Sequence, residues 1–159
     1  MKKLKKCIAL LVIAATLFTL LVSCGDGREK DVSAAELADA VEKAIGKSDM
    51  KDPGESYVKG YMKRSAEELG DFAIRKTVVG TSIDEFGVFK AGSMSTAELR
   101  SMLEGYIKLL QDAWMNYQPD EKPKLDGARI TVQGGYVLLT ILSDSDSDAA
   151  VKAFKAALK

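Results

Sequence analysis

"ARITVQGGYVLLTIL", residues 128–142, decides the fold. Two runs of β-branched and aliphatic residues flank Gly134-Gly135, and a two-residue glycine loop between such runs predicts a β-hairpin. The second run, "YVLLTIL", is apolar at odd and even positions alike, which predicts a strand in the interior of a sheet. A second hairpin lies upstream. "FAIRKTVV" (72–79) and "EFGVFKA" (85–91) flank a "GTS" turn.

Helical patterns fill the spaces around the hairpins. Val32-Ser33-Ala34-Ala35-Glu36-Leu37 carries a capping box, Ser33 with Glu36, inside a hydrophobic staple, Val32 with Leu37. Met94-Ser95-Thr96-Ala97-Glu98-Leu99 repeats the device, and Ser65-Ala66-Glu67-Glu68 opens a shorter turn. The first helix buries Leu37, Val41, Ala44 and Ile45, with Gly46 as its C-cap. From Ser95 to Tyr117, the apolar residues Leu99, Met102, Leu103, Tyr106, Ile107, Leu110, Ala113, Trp114 and Tyr117 share one helical face. A last helix, from about Asp146 to Leu158, offers Ala150, Val151, Phe154, Ala157 and Leu158. Residues 48–64 read as a loop turning at Pro53-Gly54, with Tyr57 and Tyr61 pinning it to the core. The pattern predicts an α+β domain of two layers, an antiparallel sheet of about four strands in two hairpins with helices packed on it. The two hairpin-plus-helix units form a weak pseudo-repeat.

The domain is expected to span residues 33–159. Ahead of it, Lys2, Lys3, Lys5 and Lys6 precede the apolar run 7–22, and small Ser23 precedes Cys24. A cationic start, an apolar segment and a small-residue junction are the parts of a signal peptide. Leu21-Val22-Ser23-Cys24 resembles a bacterial lipobox. That resemblance implies that residues 1–23 are removed and that Cys24 receives a diacylglyceryl thioether. At ~0.8 kcal/mol per buried methylene, two long acyl chains anchor a protein durably to a bilayer. Residues 24–32 would be the lipidated cysteine and a polar tether; its eight residues after Cys24 reach only about 15 Å.

Loss of residues 1–23 leaves 136 residues, with 19 basic against 23 acidic and a net charge of −4. No polybasic patch remains to meet nucleic acid. Cys7 leaves with the signal and Cys24 is acylated, so no pair is left for a disulfide. The chain has no histidine, which excludes imidazole-activated nucleophiles and imidazole metal ligands. No glycine-rich phosphate loop sits between a strand and a helix. The composition thus predicts no cofactor and no enzyme.

Two acidic stretches compete for a functional reading. In "LSDSDSDAA" (142–150), Asp144, Asp146 and Asp148 have the first three ligand spacings of a calcium loop. The later positions of that loop are occupied by Ala149 and Lys155. The same run reads as a helix start capped by Ser145, with Asp146 and Asp148 at the positive end of the dipole. In "SIDEFGVFKAGS" (82–93), Asp84 and Glu85 head a strand and could face a cation or a basic partner. Its plainer reading is a solvated strand end.

Three stretches resemble a family of Gram-positive lipoproteins known as DUF4358: "DEFGVFKA" (84–91), "NYQPDEKPKLDGARI" (116–130) and "GGYVLLTILSD" (134–144). The resemblance spans about residues 33–158. It implies a lipid-anchored envelope protein and carries no activity, so Cys24 alone inherits a role from it. Within the second stretch, Tyr117 and Leu125 are expected to fasten a connector to the core. Tyr117, Glu121 and Lys124 are the residues that an exposed recognition loop would use. Two functions follow as expectations. One is a non-enzymatic interaction module on the extracytoplasmic face of the cell membrane, meeting an envelope protein or wall component. The other is a ligand- or cation-binding lipoprotein, or an enzyme working with carboxylates alone, around Asp84/Glu85 or Asp144/Asp146/Asp148.

Overall fold

A computed structural model describes residues 30–78, 82–114 and 117–159. Cys24 and the expected signal peptide lie outside the described residues. Helix α1 (Ala34–Ile45) begins at the Ser33–Glu36 capping box and ends at Gly46, whose φ of 67° is a left-handed cap. Strand β1 (Met50–Lys51) follows, then a single turn α2 (Glu55–Tyr57) that runs into a π-helical turn, Val58–Met62. Helix α3 (Ala66–Leu69) uses the Ser65–Glu68 box. Strands β2 (Phe72–Thr77) and β3 (Glu85–Lys90) pair antiparallel. The long helix α4 (Thr96–Trp114) leads to the short α5 (Lys122–Asp126). The closing hairpin, β4 (Arg129–Gln133) and β5 (Tyr136–Ile141), turns at Gly134-Gly135 as the sequence predicts, and α6 (Asp144–Ala157) completes the domain.

All strand pairs are antiparallel, in the order β1-β2-β3-β5-β4. The two hairpins thus meet through β3 and β5, where Glu85 lies opposite Ile141 and Lys90 opposite Tyr136. The class is α+β. The strand count is five, because Met50 and Lys51, in the stretch expected as a loop, pair with Thr77 and Lys76.

The layering departs from expectation. Helices cover both faces of the sheet, and the two-layer expectation gives way to three. On one face Leu37, Ala38 and Val41 of α1 and Ala150 and Phe154 of α6 pack with Phe86, Val88, Tyr136 and Leu138. On the other, Leu99, Leu103, Tyr106 and Leu110 of α4, with Val58 and Met62, pack with Ile74, Phe89, Val137, Leu139 and Ile141. Alternate residues of β5 therefore feed alternate cores, which is why that strand is apolar throughout.

Elements α1, β2 and α4 run from one end of the sheet to the other. The tether enters at the first end. There Val32 and the Tyr136 hydroxyl exchange hydrogen bonds of 3.0 and 2.8 Å, and Lys90 pairs with Asp31 at 2.6 Å. Asp84 and Glu85 lie at the opposite end, at the head of β3.

Candidate functional site

Successive residues of a strand point to opposite faces, so Asp84 and Glu85 serve different layers. Both are buried, and the expectation of a solvated strand end is corrected. The strand is central, with neighbours on both sides and helices on both faces, so even its first residue is covered.

Glu85 is fully buried on the α4 side. The Tyr57 hydroxyl lies 2.6 Å from its Oε2, and the Tyr106 hydroxyl lies 2.7 and 2.9 Å from its two oxygens. The two phenol oxygens also touch one another in a short hydrogen bond. Lys76, directly opposite in the β2–β3 register, brings its ammonium to 3.4 Å from Oε2 and to 5.6 Å from the centre of the Tyr57 ring. Burial pushes the Glu85 carboxyl above the ordinary glutamate value, and Lys76 and the phenols only partly oppose it. Burial first, then the neighbouring Glu85, drives both phenols up, so they stay protonated. Two residues along on the same face of β3, the packing is tight. A β-carbon on Gly87 would stand 2.8 Å from the Phe89 ring, so this position requires glycine for space.

Asp84 is clasped by two lysines. Lys47, just past α1, reaches it at 2.6 Å, and Lys124 of α5 reaches it at 2.7 Å. Lys124 also holds Glu121 at 2.9 Å, and Glu121 accepts the Ile83 backbone N–H at 3.0 Å. Burial raises the cost of charging Asp84, but Lys124 and Lys47 outweigh it and hold its carboxyl below the ordinary value. Glu121 is likewise held low by Lys124 and the Ile83 N–H against its partial burial. The arrangement binds the α1 end and the α4–β4 connector to the head of β3.

The other expected site residues are placed as follows. Asp144 and Asp148 pair with Arg129 of β4, and Asp146 lies 3.5 Å from Lys47. Among the described residues no group of three or more acidic, cysteine or histidine side chains could hold a metal ion. The run is a helix start, with its cap two residues earlier than expected. Ser143, not Ser145, accepts the Asp146 N–H at 3.2 Å, because β5 ends at Ile141 and only Leu142 separates it from the cap. Leu125 is buried as expected, but Tyr117 is 82 % exposed and fastens nothing. Glu121 and Lys124 do come together, and they join Asp84, which the sequence did not connect to them.

Tyr57, Tyr106, Lys47 and Lys76 complete the two clusters and were not read as site residues. Tyr106 carried a signal, since a tyrosine on a buried helical face needs a partner for its hydroxyl. Hollows mark the described surface. A cleft of about 770 Å³ lies between α3 and the start of α4, beside Arg64, Glu67, Met94 and Met102. A smaller one of about 220 Å³ lies beside Trp114 and Leu125. Asp84 and Glu85 line neither.

The fold is an α+β domain with an antiparallel sheet between helices. The family described as Domain of unknown function (DUF4358) matches residues 43–142, more than half of the chain, and the chain belongs to it. The matched span holds both clusters at the head of β3 except Asp146. No curated protein and no solved structure matches.

Proposed function

We propose that the protein is a lipid-anchored module of the extracytoplasmic membrane face, one that meets an envelope partner rather than catalysing a reaction. The observation that carries the non-enzymatic reading is the commitment of the acidic groups at the candidate sites. Asp84, Glu85, Glu121, Asp144, Asp146 and Asp148 all face cations of this chain, and Glu85 faces two phenols besides. A carboxylate-only enzyme needs a pair free to meet substrate in a hollow, and these groups spend their bonds on the fold. Anchorage rests on the leader and the Leu21–Cys24 lipobox. The tether's entry beside Lys90 and Tyr136 would then turn the Asp84–Glu85 end, with exposed Tyr117, away from the bilayer.

Metabolic labelling of cells with a clickable fatty acid tests the anchor. The wild-type chain takes the label and loses residues 1–23, whereas Cys24→Ala remains unlabelled and unprocessed. Equal labelling of both would overturn the anchor. A photoreactive residue at position 117 tests the outward end, where a discrete cross-linked species is expected and its absence counts against a partner there. For the cation-binding alternative, calcium titration of the full-length chain in detergent is expected to give no heat and no change in melting temperature. Arg129 and Lys47 already neutralise the aspartates of residues 144–148.

A further inference from the structure

Residues 52–64, which contain α2 and the π turn, form a strap across the sheet face that α4 also covers. The strap's own polar bonds are local: the Tyr57 N–H donates to the Gly54 carbonyl, the Gly54 N–H to Asp52, and Lys63 to the Gly60 carbonyl. Among the described residues, the hydrogen bonds that cross from the strap to the rest of the fold are those of the Tyr57 hydroxyl, to Glu85 and Tyr106. Val58 and Met62 add apolar contact below. The strap closes on Lys63, a non-glycine residue at φ 57°. A backbone in that region is costly for a lysine, so the closing turn is a natural place for the strap to come loose.

Counting hydrogens on the three facing groups shows what holds Tyr57. Each phenol has one hydrogen, and Tyr57, Tyr106 and Glu85 make three pairwise contacts, the Tyr106–Glu85 one reaching both carboxyl oxygens. With Glu85 ionised, two hydrogens serve three contacts, and one pair of oxygens must face each other bare. With Glu85 protonated, its O–H donates to Tyr57, Tyr57 donates to Tyr106, and Tyr106 donates to the other carboxyl oxygen. Each of the three pairs then holds one hydrogen, with Tyr106 donating along its shorter approach of 2.7 Å. We propose that Glu85 is a proton-operated latch: protonated, it closes this ring and holds the strap on the sheet; ionised, it opens the ring and lets the strap lift.

The groups facing Glu85 from each packed element fit this device. Among the described residues Lys76 from β2 is the cation that faces Glu85, and its ammonium stands at 3.4 Å, placed to face the carboxylate charge when the proton leaves to solvent. Tyr57 comes from α2 and Tyr106 from α4. From β5 the facing residue is Ile141, and Tyr61 of the π turn acts only through Tyr57, its ring centre 4.7 Å away. Burial favours the neutral acid, the direction a latch closed at modest pH needs. Lifting the strap would uncover Val58, Met62 and the Tyr57–Tyr106 pair. The latch belongs to the folded domain and does not depend on the anchor.

Hydrogen exchange of the full-length chain in detergent, followed by mass spectrometry of peptides within 52–64, tests the latch. After correction for the intrinsic rate, the opening constant of the strap should climb as pH rises above the ordinary glutamate value of 4.5, by up to about tenfold per unit. The α6 peptides should show no such slope. In Glu85→Gln the strap should open equally at every pH. A flat wild-type profile, or the same slope in Glu85→Gln, overturns the proposal. Lys76→Met supplies an independent reading should Glu85→Gln fail to fold. Without the facing cation the proton is held longer, and the rise must move to higher pH; an unmoved rise overturns the latch as well.

Discussion

At the scale of single residues, Asp84 and Glu85 show how two neighbouring carboxylates acquire opposite properties. Asp84 meets two lysines and stays charged, while Glu85 meets two phenols and one more distant lysine, and burial dominates. Asp84 makes a prediction for a double-mutant cycle. Lys47→Met or Lys124→Met alone leaves one cation in place and should cost about 1–2 kcal/mol; together they leave a buried charge unpaired and should cost about 3–5 kcal/mol or more. Urea denaturation reads the difference, and a double variant no worse than its worse single would show that the clasp contributes little. Site chemistry at this scale was only partly legible in sequence. Asp84, Glu85, Glu121 and Lys124 were singled out, but what links them is through-space: Lys47 and Lys124 flank Asp84 from positions 37 residues before it and 40 after it. Tyr117 was misread because a helical period continues in the sequence past the point where the buried face ends.

At the scale of elements, the hairpins and the capping boxes were legible because their signals are local. Gly134-Gly135 turns β4 into β5, and Ser33, Ser65 and Ser95 each pair with the glutamate three residues on. The strap was not legible. Its π turn has no sequence signature, and β1 exists only because β2 offers it an edge at Lys76 and Thr77. Two layers were expected where three exist, although the all-apolar β5 already demanded cover on both faces. The described glycine with the least room for a side chain is Gly87, where the ring of Phe89 from the same strand and Ile74 of β2 close over the position. Gly87→Ala should therefore cost about 1–3 kcal/mol by overpacking. A matched control, Gly105→Ala on α4, has open space at the site and should stabilise the helix by a few tenths to about 1 kcal/mol. Thermal denaturation of the two variants side by side decides whether space, rather than glycine as such, governs position 87.

For the molecule as a whole, the two clusters set opposing dependences of stability on pH. Asp84 and Glu121 have folded values below their ordinary ones, so their stabilisation is present above the ordinary value and is lost as pH falls through the folded one. Glu85 has a folded value above its ordinary 4.5, so its contribution is full below 4.5 and is lost as pH rises through the folded value. The wild-type domain should therefore lose stability in acid through the lysine clasp and lose some again as pH rises through the Glu85 window. Glu85→Gln removes the second loss and leaves the first. Wild type should lose stability relative to Glu85→Gln as pH rises above 4.5, and the difference should level off once Glu85 is ionised in both folded and unfolded chains. Asp84→Asn should instead diverge from wild type with rising pH at the acid end, because the wild type alone gains a clasped charge there. Urea unfolding across the pH range separates the two. A wild-type to Glu85→Gln difference that holds constant over the range would mean that the folded and unfolded chains hold the Glu85 proton equally, and the opposing limb would have to be sought elsewhere.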